Sequence, residues 1–506
     1  MNHTVHIRQH TTAGFAYHVL LPSCVFALLA LLACGYEPYG GDMPIHLSYI
    51  YKHLNPDLFP DDGFVSSLSR YPSLFWRCFA WCATQHTVFF VLFIYHVFSL
   101  ILFFVAVNLL SQRLYDARYI GYIASSLIII MNVIPWGGAS IIPSQADHGL
   151  FARAALLLAL VFFLQHRYWI ASLLWGISLW VHPMMAFFMA IVLLFIWFIL
   201  PPSEKKNSLR TAPVLLLFSI SFLAFLHGIQ ALDTIRISSR ESYDFIVELY
   251  RLRLWWHLFP SLWSAKIFVF YAAATSIFII ALKRNPPRYY NESIMIFMAV
   301  LAMCLVGLIG SEIVPRITIL KLHVFRSMKV WAVLMYILAA ALIVHLMSPL
   351  KGYKAVVIYG LISLCLIGII VKRVSSNPGT PDDWEQSCEW IRENISMDAV
   401  VLTPPHKSGF RIRARRSPYV EWKDGSALLW DISWAADAWW NRISSISPEL
   451  SRVSPREILS VLKHDYEHLS AQQIQATNCD YCITPIEYDE IPEISKHGAW
   501  RIYKIK

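Results

Sequence analysis

The feature that most constrains this chain is a succession of eleven apolar stretches, at about 13–35, 87–110, 119–135, 150–165, 168–182, 184–200, 211–231, 264–282, 292–311, 329–348 and 354–373. Most approach the roughly 20 residues that a helix needs to cross the hydrocarbon core of a bilayer. The fourth to sixth form one nearly unbroken tract, divided only by Gln165-His166-Arg167 and by His182-Pro183. With 57% hydrophobic and 15% charged residues in 506 positions, and a mean hydropathy of +0.50, the chain is too apolar for water and needs lipid as its solvent. Its 19 Trp and 24 Tyr gather at the edges of apolar runs, where amphipathic rings settle at headgroup depth. The expectation is an α-helical polytopic membrane protein with about eleven transmembrane helices over residues 1–373.

Orientation follows from the positive charges. With the N-terminus in the cytoplasm, the inside connections carry Arg8, Arg113 with Arg118, Arg167, Lys205 with Lys206 and Arg210, Lys283 with Arg284 and Arg288, and Lys351 with Lys354. Every short inside connection is then basic, as the positive-inside bias requires. An odd number of spans puts the C-terminus outside, together with long loops at 36–86, 232–263 and 312–328. A shorter outside loop, 136–149, carries Gly137-Gly138 and Gln145-Ala146-Asp147-His148. Topology thus accounts for much of the net charge of +9, and no nucleic-acid site is read from it. Leu31-Leu32-Ala33-Cys34 loosely matches a lipoprotein cleavage site, but the length of the run favours an uncleaved first span.

After Arg373 the composition changes. Residues 374–381 read as a Ser/Pro/Gly linker, and 382–506 as a small extracytoplasmic α/β domain. An amphipathic helix over 382–394 places Trp384, Cys388 and Ile391 on one face, and 399–402, 481–484 and 500–503 are strand candidates. Cys479 and Cys482 form a close extramembrane C-x-x-C pair among the nine cysteines; a local disulfide and a redox pair are both compatible with that spacing.

Candidate chemistry concentrates outside. Gly40-Gly41-Asp42-Met43-Pro44-Ile45-His46 sets a carboxylate at a membrane exit, leading into a helix that can lie in the interface; Asp42 two positions before Pro44 equally suits a helix N-cap. Arg236, Arg240, Arg251 and Arg253 in one loop, and Arg316, Lys321 and Arg326 in another with Lys329 at its edge, run against the positive-inside bias. They suit a lipid phosphate or anionic headgroups. Asp147-His148 offers acceptor support or part of a divalent-metal site with Asp42. His182-Pro183 is a helix turn or a substrate-facing histidine. Ser238 to Glu241 has capping-box spacing at the head of an aromatic helix ending near Trp255-Trp256, with Glu241 and Asp244 on a solvated face or near sugar hydroxyls. In the C-terminal domain, Gly409-Phe410-Arg411, Arg415-Arg416, 419–423 and Trp439-Trp440-Asn441-Arg442 either bind an anionic or carbohydrate ligand or lock the domain onto the membrane part.

The layout of an acidic first outside loop, long outside loops, short cytoplasmic ones and a soluble C-terminal domain resembles the GT-C superfamily, integral membrane glycosyltransferases that use polyprenyl-phosphate sugars. The last quarter of the chain resembles the C-terminal region of a group of uncharacterised bacterial membrane proteins. The first resemblance implies an inverting hexosyl or pentosyl transferase of the bacterial inner membrane, acting on a glycan, lipid or protein acceptor at the outer face. It implies Asp42 as general base or acceptor-orienting group. Substrate contacts are expected at His46, Asp147, His148, His182, Arg236, Arg240, Arg316, Lys321 and Arg326. The 136–149 loop lacks the spaced acidic pair of the metal-dependent members, so a divalent metal is left open. A transporter or flippase for a lipid-linked or small substrate, or a non-catalytic assembly subunit, is the alternative; the lack of an internal repeat and the placement of charges almost wholly in loops weigh against transport.

Overall fold

The structure, a computed structural model, describes residues 12–132, 136–230, 240–347, 353–375 and 382–506. Each apolar stretch carries a helix, because in lipid only intrahelical hydrogen bonds satisfy the backbone of a lone segment. Among the described residues, five helices are long and apolar enough to cross a membrane: Ala16–Cys34, Val88–Tyr115, Ala265–Arg284, Tyr290–Ile313 and Ile317–Met347. A sixth is added if Pro202–Leu209 and Ala212–Gly228, bent by 45°, make one span. The tract around His182 divides into shorter apolar helices, His148–Leu164, Tyr168–Val181 and Pro183–Ile199, and Arg118–Ile130 is short as well. A 14-residue helix such as Tyr168–Val181 rises about 21 Å, less than the roughly 30 Å core. Pro183 opens the next helix at its first position, where its missing N–H costs nothing. A further helix, Tyr353–Ser375, precedes the C-terminal domain; 376–381, most of the expected linker, lie outside the described residues. Leu216, Leu217, Ile220, Val269 and Phe198 are exposed, as suits side chains that face acyl chains.

The loops and the C-terminal domain are packed as one unit at one end of the bundle. A single apolar cluster joins Met43, Ile50 and Trp76 of the first loop, Leu249 and Tyr250 of the helix Arg240–Leu258, and Ile412, Trp422 and Trp439 of the C-terminal domain. Behind it a five-stranded sheet has the order β2-β1-β3-β5-β4, with β1 (Val400–Leu402), β2 (Ser417–Pro418), β3 (Tyr481–Thr484), β4 (Glu493–His497) and β5 (Trp500–Lys504). β1 pairs in parallel with β2 and β3, while β5 runs antiparallel to β3 and β4. The helix Asp383–Asn394, capped by Asp382, buries Trp384, Cys388 and Ile391 against the sheet residues Val401, Ile483 and Ile502. Cys479 and Cys482 are buried free thiols.

Arg411 pins this unit together. Its buried guanidinium donates from Nε to Asp62 Oδ2 (2.7 Å) in the first loop and from Nη1 and Nη2 to the two oxygens of Asp424 (3.0 and 3.1 Å). The short helix Trp422–Leu429 is closed at its start by a capping box between Glu421 and Asp424. Tyr250 donates to Leu428 O at 2.5 Å, and Trp430 Nε1 donates to Ser67 Oγ at 3.1 Å. The segment 421–430 is therefore held from the first loop and from the helix Arg240–Leu258 at once.

Candidate functional site

Where these parts meet the bundle they enclose a cavity of about 340 Å3. Asp42 reaches it from the start of the helix Met43–Leu54. Gly41 turns the chain there with φ 54°, and a side chain at that position would collide with the Gln145 amide, so the turn demands glycine. Asp42 does occupy the N-cap, yet its side chain makes no capping hydrogen bond. The backbone does that work, Asp42 O accepting from the amides of Ile45 and His46 at 3.0 and 3.3 Å. The carboxylate is left to accept from Lys423 Nζ of the C-terminal domain at 2.5 Å, with half its side-chain surface still accessible.

One turn on, His46 stacks on Trp76 with ring centroids 4.1 Å apart and meets His148 edge-on at 5.1 Å. His148 in turn stacks on His182 at 4.8 Å. Thus His182 marks a helix break and also lines the cavity. Asp147 caps His148–Leu164 by accepting from the Gly149 amide at 2.8 Å. Its carboxylate lies 3.3 Å from His148 Nδ1 and 3.9 Å from Arg153. Arg153, on the second turn of an apolar helix, donates to Ile141 O at 2.9 Å, and Asn132 fixes that loop through paired bonds to Ile142 at 2.7 and 2.8 Å.

Much of the remaining lining is cationic. Arg253 donates to Trp422 O and Ser426 Oγ, both at 2.9 Å, between the rings of Trp256 and Trp422. Arg326 Nη2 lies 3.0 Å from His257 Nε2, and His257 Nδ1 lies 3.1 Å from Gly137 O. A guanidinium can only donate, so His257 is neutral with its proton on Nδ1. His323 adopts a left-handed conformation, φ 47°, and among the described residues both its buried ring nitrogens, Arg326 Nε and Arg153 Nε have no hydrogen-bond partner. Buried donors left in this way are uncommon and point to a ligand that satisfies them. In all, Arg153, Arg253, Arg326, Lys329 and Lys423 face the cavity against the carboxylates of Asp42 and Asp147.

The charges have consistent consequences. The Lys423 ammonium beside Asp42 holds its carboxyl well below the usual carboxylate range, against the opposing effect of burial. Burial, helped by His148, lowers His46 to about 3, which keeps it neutral. Burial brings Arg253 down to about 10, still cationic at neutral pH. Among the described residues, no group of three or more His, Cys, Asp and Glu side chains is placed to hold a metal ion.

Of the residues the sequence singles out, Asp42, His46, Asp147, His148, His182, Arg253, Arg326, Lys329 and Lys423 share this cavity. Arg316 does not reach it: in an extended conformation at the N-cap of Ile317–Leu322, it is exposed. Lys321 lies instead on an adjoining apolar groove with Pro183, Met184, Phe187, Phe222 and Leu322, which shares Tyr71, His148, His182 and Trp430 with the cavity. Arg236 and Ser238 lie outside the described residues, as does the side chain of Arg240. The sequence reading passed over Arg153, His257 and His323. An arginine inside an apolar run was the available signal for the first, and it qualifies the expectation that charges sit almost wholly in loops. Lys423 belongs to the 419–423 run singled out in sequence for ligand binding or domain locking, whereas Ser426 carried no signal.

A family model described as Domain of unknown function (DUF6798) matches residues 382–446. No curated protein sequence matches the chain. Among solved structures, the chain is similar to the Archaeoglobus fulgidus oligosaccharyltransferase tethered with an acceptor peptide containing the NVT sequon, with a TM-score of 0.50 and 15% identity over 93% of this chain and 70% of that one. Another is archaeal oligosaccharyltransferase AglB from Archaeoglobus fulgidus in complex with an inhibitory peptide and a dolichol-phosphate, with a TM-score of 0.47 and 13% identity over 93% and 69%. At such identity the likeness is one of fold: the chain has the architecture of a multi-pass membrane protein with a C-terminal domain seated on its loops.

Proposed function

We propose that the protein is an inverting glycosyltransferase that moves a hexosyl or pentosyl unit from a polyprenyl-phosphate donor to a glycan, lipid or protein acceptor at the outer face of a bacterial inner membrane. The observation that carries this reading is the cavity itself. Its lining brings the Asp42 carboxylate together with Arg253, Arg326 and Lys329, and an apolar groove adjoins it. The solved oligosaccharyltransferase of similar fold, tethered to an acceptor peptide, supports the same class of reaction.

In this reading the donor phosphate lies against Arg326 and Lys329, its lipid chain leaves along the groove past Phe187 and Phe222, and the sugar faces Asp42. The acceptor hydroxyl oxygen forms a bond to the anomeric carbon as the bond from that carbon to the phosphate oxygen breaks. The electron pair departs with the lipid phosphate, whose growing charge the cations stabilise. The hydroxyl proton passes to Asp42. Although Lys423 makes Asp42 a weak base, the demand is small: in an oxocarbenium-like transition state the attacking oxygen becomes strongly acidic as its bond to carbon forms. Attack opposite the leaving group inverts the anomeric centre.

The test is transfer of radiolabelled sugar from polyprenyl-phosphate donors by purified protein in lipid. Asp42→Asn is expected to lower kcat by roughly 10² to 10⁴ with donor KM little changed. Undiminished transfer by the variant removes Asp42 from the chemistry, and lipid translocation without donor consumption favours transport.

A further inference from the structure

We propose that Lys423, carried on the C-terminal domain, is a positioning residue for Asp42, so that this domain completes the site and does not merely cover it. The catalytic consequence rests on the glycosyl-transfer reading; the geometry does not.

Three observations carry the proposal. First, Asp42 holds an N-cap position without using its side chain as a cap, and the carboxylate takes its hydrogen bond from Lys423, 381 positions away in sequence. Second, the backbone that presents Lys423 is fixed from several directions. Arg253 donates to the carbonyls of Trp422 and Lys423, Trp439 Nε1 donates to Glu421 O at 3.1 Å, and Arg411 grips Asp424 on the following residue. An ammonium on a four-carbon stem is ordinarily a mobile charge; here its base is immobilised and its tip meets a single carboxylate. Third, docking of the domain does not need this ion pair. Arg411, Arg253, Tyr250 and Trp430 supply buried contacts, whereas a pair with a half-accessible carboxylate contributes little to stability. Its place on the cavity wall is what remains to explain it.

Lys423 keeps Asp42 ionised and turned toward the space between the cations. The other charged and titratable groups around Asp42 are His46 on its own helix, Arg253 from the helix Arg240–Leu258, His323, Arg326 and Lys329 from the 309–329 segment, Tyr71 from the first loop and Asp147 across the cavity. Lys423 alone among them is hydrogen-bonded to its side chain. Removing the ammonium takes away the largest influence holding the carboxyl down and leaves Arg326 and His46 to oppose burial, so in Lys423→Met Asp42 takes up its proton at a higher pH than in wild type.

The test needs no substrate. Dicyclohexylcarbodiimide reacts with protonated carboxyls, and labelling of the full chain in nanodiscs can be read at Asp42 by mass spectrometry between pH 5 and 8. Wild type and Lys423→Arg are expected to stay unlabelled at Asp42, while Lys423→Met labels increasingly toward low pH. Arg456→Ala, which loses an exposed anchor to Leu262 O and a contact over the Trp255 ring, neither of which lines the cavity, is expected to behave as wild type. In the transfer assay Lys423→Met should gain an acid limb at the pH where labelling sets in, Lys423→Arg should restore most activity, and the Lys423→Met effect should vanish in an Asp42→Asn background. Wild-type labelling in Lys423→Met, or a loss of activity that is independent of pH and persists in the Asp42→Asn background, overturns the proposal. If labelling shifts as expected and no variant or wild type transfers sugar, the hold of Lys423 on Asp42 stands and the glycosyl-transfer reading falls.

Discussion

Replacing Arg411 by methionine tests whether the C-terminal domain is locked to the first loop by the buried charge network. The guanidinium is 2% exposed and its partners Asp62 and Asp424 are 4% and 3% exposed at their side chains. Methionine fills part of the volume but leaves two carboxylates buried without their cation. Breaking a buried ionic cluster on one side costs about 3–5 kcal/mol, or roughly two to three and a half powers of ten in the local opening equilibrium at about 1.4 kcal/mol per decade. That is a large fraction of the roughly 5–15 kcal/mol that holds a domain folded. Hydrogen exchange in nanodiscs measures the opening directly at the amides of Gly409 and Phe410, which donate to Glu421, and across 422–430. Protection there is expected to fall by roughly 10² to 10³. The triple variant Asp62→Asn, Arg411→Met, Asp424→Asn removes the stranded charges and should recover most of it; the amide oxygen introduced by Asp62→Asn can still cap Gly63–Ser67 as the native carboxylate does. Protection within about threefold of wild type in Arg411→Met, or a triple variant as damaged as the single one, refutes the argument from stranded charge.

Two further outcomes follow from the cavity. Arg326→Met and Lys329→Met should each weaken donor binding by about 10- to 100-fold, since a hydrogen bond to a charged group contributes roughly 1.5–3 kcal/mol; donor KM is the measurement, and unchanged KM in both places the phosphate elsewhere. In wild type the depressed carboxyl of Asp42 is ionised above its lowered value and His46, lowered to about 3, is neutral above it, so neither titrates between pH 5 and 7. The kcat/KM profile should lack an acid limb from either group there, and a limb near pH 6.5 that disappears in His46→Asn contradicts the burial of His46.

The parts of the fold legible in the sequence are those with a strong local signal. Long apolar runs give helices, and Asp382 before an amphipathic pattern gives a capped helix. β2 escapes notice because it has two residues, one of them proline, and β4 because Glu493–His497 lies mostly exposed and does not alternate. In the site, Asp42 stands out through two glycines and a proline at a membrane exit. Arg153 is diluted by the apolar helix around it. Arg316 and Arg326 look alike in sequence, and only the left-handed turn at His323 separates an exposed cation from one aimed inward. Lys423 stands in the 419–423 run marked out in sequence, but only tertiary structure sets it against Asp42.

That dependence explains why the cavity is built from so many elements. Five cations facing two carboxylates repel one another, and in a flexible chain they would swing out to water. Here Arg153 is tied to the Ile141 carbonyl, Arg253 to Trp422 and Ser426, and Arg326 to His257, each on a different segment, so none can leave without breaking a buried bond. Among the described residues Arg326 and Lys329 have no carboxylate partner within salt-bridge distance. Preorganised charge of this kind stabilises an anion without further rearrangement, and it destabilises the protein that lacks one. The Arg411 network and the shared apolar core supply the offsetting stability, and they lie in the C-terminal domain and first loop, which also deliver Lys423 and Asp42. In the proposed reading a phosphate bound between the cations relieves the repulsion, so ligand affinity and docking of the C-terminal domain should be coupled: loosening the domain should weaken the site, and filling the site should tighten the domain.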